Sequence, residues 1–352
     1  MTRVSPGPPF WPRAPWPDFM PRPFSEFPPG SSRRAVIDVG SNSVKLLVGE
    51  VSTQGTVAAV WETARQTRLG AGLHPGGRLA FKAIQHTAEC VADFAKEAQA
   101  QGAAQVGVVA TSAVREAGNQ AELLAAVREH AGLAVNVLTG DQEALWMYQG
   151  VASDPVLAGS PLLIADAGGG STEVVLGEGH AVQFHASFGL GTVRMLERFA
   201  PADPPSLADW QGCRDHVRQV LGRELGPGLG PQLAAWGSRA WRMVGASGTA
   251  TILARLVTRL DSYDRGCLEG TVLRREGLEA LRQELWSLPL AQRRQLPGLP
   301  PERADVILMG VAIYAGLMEW CGAESLFISL RGLRYGALVR LGRSADAGLA
   351  CA

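Results

Sequence analysis

Two aspartates stand directly ahead of short runs of glycine and serine. Asp38 leads into Gly40, Ser41, Asn42 and Ser43, and Asp166 leads into Gly168, Gly169, Gly170, Ser171 and Thr172. Tight turns of this composition leave backbone N–H groups unpaired and pointing one way, and a concave set of such donors binds anions, phosphate above all. Gly169 and Gly170 let an anion come close to the backbone. Ser41, Ser43, Ser171 and Thr172 add hydroxyl donors. The carboxylates of Asp38 and Asp166 repel phosphate unless a cation stands between, and Mg²⁺, which takes one or two carboxylates plus phosphate oxygens, resolves that conflict. One such segment could equally be an ordinary turn closed by an Asx bond. A third cluster, VGASGT at 244–249, brings Gly245, Ser247 and Gly248 to the start of a helix, where anions are also favoured.

The elements that must carry these turns follow from the apolar pattern. Residues 35–39 and 44–51 are short apolar runs around the first turn, and 162–167 and 172–177 flank the second, so each turn joins two strands. The two starts are offset by 128 residues throughout: Asp38 matches Asp166, Gly40 matches Gly168, Ser43 matches Ser171, Gly49 matches Gly177 and Glu50 matches Glu178. A repeat of this length implies two similar α/β halves facing one cleft. Further strands are expected at 60–68, 105–110, 133–138, 181–187, 241–247 and 324–330. Helices are expected at 79–100, 119–130, 141–152, 191–199, 206–223, 248–259, 274–286, 301–321 and 332–341, and a Gly/Pro loop at 226–231. The resulting organisation is a disordered proline-rich extension over 1–32, which holds ten of the 22 prolines, a first domain over 33–150 and a second over 151–352. The last helix is able to pack back on the first domain.

Composition narrows the classes. Thirty-three basic residues balance 33 acidic ones in a chain of 352, which argues against a general nucleic-acid binder. No apolar run is long enough to span a membrane and no apolar leader opens the chain. Five scattered cysteines without CxxC pairs fit reduced thiols of a cytoplasmic protein. Only Lys45, Lys82 and Lys96 are lysines.

The motifs DVGSNS (38–43), TSAVRE (111–116), TGDQEA (139–144), DAGGGSTE (166–173), GASGT (245–249) and RGLRYG (331–336) occur in that order. With them the chain resembles the Ppx/GppA family of exopolyphosphatases and guanosine pentaphosphate phosphatases over residues 33–341. The resemblance implies an α/β fold of two ribonuclease-H-like domains around a cleft, in the actin-like, sugar-kinase-like superfold. It implies Mg²⁺-dependent hydrolysis of a terminal phosphoanhydride in the short two-domain form of the family, and a homodimer. Glu143 stands at the catalytic glutamate of the family's G-x-E-E-A motif, Arg115 at a phosphate-contacting arginine, and Asp166 and Glu173, assisted by Asp38, at the Mg²⁺ carboxylates. Two positions depart from the family pattern: Gln142 replaces the first acidic residue of the motif, and Tyr335 replaces the acidic residue of R-E-G. Inorganic polyphosphate is the expected substrate, with guanosine pentaphosphate as the alternative. A phosphotransferase to ADP, a sugar kinase of the same superfold, and a non-catalytic alarmone- or polyphosphate-binding module stay open at this level. Arg194 and Arg198, one helical turn apart, are candidates for a basic track under a long polyanion.

Overall fold

The computed structural model describes residues 31–53, 56–73, 77–179, 181–237 and 239–346. The extension expected over 1–32 lies outside the described residues except for Ser31 and Ser32, as does Cys351.

The described chain forms two mixed sheets. The first contains β1 (Ser32–Val39), β2 (Ser43–Val51), β3 (Val57–Gln66), β4 (Gln105–Ala110) and β5 (Val135–Val137) in the order β3-β2-β1-β4-β5. The second contains β6 (Pro161–Ala167), β7 (Thr172–Glu178), β8 (Ala181–Phe188), β9 (Arg242–Ala246), β10 (Val272–Arg274) and β11 (Ser325–Ser329) in the order β10-β11-β9-β6-β7-β8. In each sheet the first three strands run antiparallel and the next two join in parallel. This is the ribonuclease-H-like arrangement, present twice, with β10 as an added edge strand.

The repeat is preserved down to the register. Asp38 pairs with Lys45 across β1 and β2, and Asp166 pairs with Glu173 across β6 and β7. The β2–β3 ladder slips between Val48 and Gly49, and the β7–β8 ladder slips between Leu176 and Gly177, the same positions 128 residues on. A bulge sharpens the local twist of its strand, so each half aims its first hairpin in the same way.

Helix Phe81–Ala100 buries Ile84, Val91 and Phe94 along one stripe against the first sheet. Each such side chain contributes about 1.5–3 kcal/mol by leaving water. Helix Ile307–Cys321 is apolar all round because it is enclosed by the second sheet's core. Two helices cross between the halves. Helix Gly140–Ala152 places Ala144, Met147, Tyr148 and Val151 among residues of the second sheet, whereas helix Leu333–Asp346 places Leu333, Tyr335 and Leu338 against Val36 and Leu47 of the first. They pass one another at glycines: a Cβ on Gly150 would lie 2.0 Å from the Gly332 carbonyl oxygen, and one on Gly336 would lie 1.9 Å from that of Trp146.

Two local expectations change, and one strand was not expected. The 226–231 segment is only partly loop, because helix Leu229–Trp236 takes in Pro231, which a first helical turn tolerates. The helix expected over 301–321 is broken into a 3₁₀ turn at Pro301–Arg303 and helix Ile307–Cys321. Strand β10 is too short to show a period. No helix among the described residues is long and apolar enough to cross a membrane.

Candidate active site

The two hairpins meet at one cavity of about 70 Å³. Asp38, Gly40, Ser41, Asn42 and Ser43 line it from the first half, and Asp166, Gly168, Gly169, Ser171 and Glu173 from the second; Glu143 and Gly248 are also among its lining residues. Both turns are closed alike: Gly40 N–H donates to the Ser43 carbonyl at 3.1 Å, and Gly168 N–H to the Ser171 carbonyl at 2.9 Å. Outer segments clamp the turn carbonyls. Gly70 N–H donates to Ser41 O and Arg68 N–H to Asn42 O, while Thr192 N–H donates to Gly168 O and Val193 N–H to Gly169 O. Among the described residues the N–H groups of Ser41, Asn42 and Gly169 have no acceptor. Three free donors around one cavity form an anion cradle, and the buried Nδ2 of Asn42, also without a partner, adds a fourth.

Glu143 reaches the cavity from helix Gly140–Ala152. Thr139 caps this helix: its hydroxyl accepts from Gln142 N–H at 3.1 Å, and Gln142 Oε1 accepts from Thr139 N–H at 3.0 Å. Gln142 thus serves as the return arm of a capping box, a task that Gln and Glu share. Glu143 is 8% exposed, and its Oε2 accepts from Arg115 Nη1 at 3.0 Å. The same Nη1 donates to the Leu138 carbonyl at 2.7 Å, which holds the guanidinium beside the carboxylate. Burial pushes the Glu143 carboxyl well above the usual range, and the Glu173 charge adds to that; Arg115 opposes it.

Glu173 is fully enclosed. Ser171 and Ser187 hydroxyls donate to its Oε1 at 2.6 and 2.9 Å. Burial, then the Asp166 charge, raises its carboxyl to about 7, against the two hydroxyls. Burial also raises Asp38, while Lys45 and Arg334 pull it down. Asp38 Oδ1 is buried without a hydrogen-bond partner. An orphan carboxylate oxygen beside two further carboxylates in an oxygen-rich cavity fits a hard divalent cation. Asp38, Asp166 and Glu173 do not converge as an all-protein metal cage among the described residues.

The structure does not bring every expected residue to the cavity. The Thr172 hydroxyl turns inward and donates to the Leu190 carbonyl, so it serves the core. Gly245 sits inside β9, where a Cβ would lie 3.1 Å from Ala250 and Leu326 side chains; it serves close packing of the strand. Gly170 borders the Ser41 and Ser112 hydroxyls without lining the cavity. Ser247 opens helix Ser247–Thr258.

Two cations were not among the expected residues. Lys45 lines the cavity, where burial lowers its ammonium and the Asp38 charge holds it up. The repeat offset could have flagged it, because it occupies the Glu173 position of the first half. Arg303 donates from Nη2 to the Ser43 hydroxyl at 2.8 Å. Nothing in its local sequence marks it, since it depends on the break before helix Ile307–Cys321.

Known proteins accord with this geometry. The chain is 34% identical over 310 residues to exopolyphosphatase 2 of Mycobacterium tuberculosis, covering 85% of this chain and 95% of that protein. It is 30% identical over 306 residues to the guanosine-5′-triphosphate,3′-diphosphate pyrophosphatase of Pseudoalteromonas translucida, covering 86% of this chain but 58% of that one. The crystal structure of the Aquifex aeolicus Ppx/GppA family member superposes with a TM-score of 0.72 at 30% identity, covering 90% of this chain and 99% of that one. Residues 35–345 match the description of one phosphatase family. The chain belongs to the Ppx/GppA phosphatase family and is a hydrolase of phosphoanhydrides.

Proposed function

We propose that the protein is an exopolyphosphatase that removes the terminal phosphate of inorganic polyphosphate, with Glu143 as the base for water. The observation that carries this reading is the meeting of two matched, donor-rich hairpins with a buried, Arg-paired glutamate at one small cavity.

The terminal phosphate binds the free N–H groups of Ser41, Asn42 and Gly169 and the Ser43 and Ser171 hydroxyls. Lys45 and Arg303 offset its charge. Phosphoryl transfer depends mainly on positioning and charge neutralisation. Glu143 orients a water and accepts its proton, and its raised affinity for protons suits a base working near neutral pH. Arg115 opposes the rise of the Glu143 carboxyl and aims it. Asp38, Asp166 and Glu173 would hold Mg²⁺, which when bound neutralises charge on the bridging and terminal oxygens.

Phosphate release with Mg²⁺ on long polyphosphate, tripolyphosphate and guanosine pentaphosphate tests the reading. Turnover of polyphosphate that is abolished in Glu143→Ala is expected. Equal, slow release by both proteins would sink the enzymatic role, and much faster turnover of the pentaphosphate would reverse the substrate order.

A further inference from the structure

The last helix, Leu333–Asp346, brings a charge close to the cavity that the reaction described above does not use. Leu333 lines the cavity, and Arg334 follows it. Val36 of β1 and Leu47 of β2 pack against Leu333, Tyr335 and Leu338 of this helix. Side chains alternate along a strand, and those paired across a ladder share a face. Asp38 stands two residues after Val36, Lys45 two before Leu47, and Glu62 opposite Leu47 in the β2–β3 ladder. Asp38, Lys45 and Glu62 therefore share the face that the last helix covers, and Arg334 comes down among them.

Both terminal nitrogens of Arg334 are engaged. Nη1 donates to the Leu46 carbonyl at 2.8 Å, and Nη2 donates to Glu62 Oε2 at 3.0 Å. The Glu62 and Arg334 side chains are 12% and 17% exposed, so salt screens the pair little. Asp38 is the competing partner. Its Oδ1 is buried without a hydrogen bond, and the Arg334 charge acts on it as on Lys45. A sheltered guanidinium pairs with a carboxylate in range unless its donors are already taken. Here Glu62 and Leu46 take them. Glu62 is held from its other side as well: Arg265 donates to its Oε1 and, from Nη2, to Glu269 Oε2 at 3.0 Å. Glu269 Oε1 accepts from the Leu330 N–H at 3.1 Å, so this second ion pair leads into the second half and not to Asp38.

We propose that Glu62 is a positioning residue of the active site: it holds Arg334 off Asp38, so that Asp38 Oδ1 stays unpaired beside the cavity. The proposal rests on the reading of Asp38 as one of the carboxylates that would hold Mg²⁺. Without Glu62, Arg334 keeps only a neutral carbonyl, and the opposite charge left to it on this face is that of Asp38. An Arg334–Asp38 pair then occupies the oxygen that the cation needs.

Two readouts test this: phosphate release from long polyphosphate with Mg²⁺, and the rise in melting temperature that Mg²⁺ alone produces. Glu62→Gln is expected to lose about tenfold in kcat/KM and most of the Mg²⁺-induced rise. Glu62→Gln with Arg334→Met should regain both, to within about threefold of the unaltered protein in kcat/KM, because nothing then competes for Asp38. Arg265→Met, which breaks the other ion pair of Glu62, should melt lower and keep both readouts. An unaffected Glu62→Gln protein, a double variant worse than the single one, or an equal loss of both readouts in Arg265→Met makes Glu62 merely structural and overturns the proposal. Should Glu62→Gln not fold, the double variant decides by the same threefold limit. If the unaltered protein shows neither phosphate release nor a Mg²⁺-induced rise, the reading of the cavity itself falls, and the role of Glu62 with it.

Discussion

Arg115 Nη1 lies 3.0 Å from Glu143 Oε2, and the same nitrogen is anchored on the Leu138 carbonyl. The pair joins the short helix Ser112–Glu116, which follows β4, to the first turn of helix Gly140–Ala152. It fixes the direction of Glu143, which this helix brings to the cavity, and opposes the rise of its carboxyl. Glu143→Gln keeps the shape and removes the base, so kcat should fall about 10²–10⁴-fold, with circular dichroism and melting unchanged. Retention of more than a tenth of the activity would contradict the assignment.

Arg115 opposes the burial that raises Glu143. Removing it should therefore raise the carboxyl further. Activity that needs ionised Glu143 appears as pH rises through its pKa, so the acid limb of kcat/KM should move to higher pH in Arg115→Ala. Arg115→Lys should lie between, since it keeps a point charge but loses the planar fork. A lower kcat with an unmoved acid limb would mean that Arg115 acts on substrate alone.

Glu173 is held up from 4.5 to about 7 in the folded protein. The folded state therefore keeps a proton that the unfolded chain releases, so the stability from this group is present below pH 4.5 and is lost as pH rises through about 7. Glu173→Gln should melt about 2–4 °C higher than the unaltered protein at pH 8 and show little gain at pH 4. Mg²⁺ should raise the melting temperature of the unaltered protein at pH 8 and do less for the variant. A gain that is equal at both pH values would rule out relief of a buried charge.

Gly150 and Gly336 mark the crossing of the helix that bears Glu143 with the last helix. An alanine at either position meets backbone, which has no rotamer to yield. Gly150→Ala should cost about 1–3 kcal/mol in denaturant unfolding and should reduce kcat by displacing Glu143. Gly230→Ala, where a Cβ meets nothing within 4 Å, is the control expected to do neither.

Gln142 departs from the family's acidic residue yet keeps the capping box. Gln142→Glu should preserve stability and change kcat less than about threefold, whereas Gln142→Ala should lose about 0.5–2 kcal/mol. A large gain in activity from the glutamate would show that the lost charge matters to the chemistry.

The second departure is explained by surroundings that sequence spacing does not show. Tyr335 is stacked between Arg265 and Arg331, each about 5.1 Å from its ring, and its hydroxyl donates to Glu62 Oε1 at 3.4 Å. Glu62 also pairs with Arg265 and Arg334. Glu62 comes from β3, 272 residues before Arg334 and 203 before Arg265, and Tyr335 supplies a π face.

The sequence by itself determined the duplication. The 128-residue offset already contained the paired strands, the matching Asp–Gly turns and the glycine at each bulge, because hairpin geometry is local and its period is visible in the chain. Glu143 and Arg115 were named from the family resemblance, and the structure brings the two together as an ion pair. The tertiary structure alone decided which polar groups face the cavity. It turned the Thr172 hydroxyl into the core, kept Gly245 inside a strand, and brought in Lys45 and Arg303. Side-chain direction and the meeting of segments as remote as Ser43 and Arg303 depend on how two sheets and two crossing helices close together, and no local spacing encodes that.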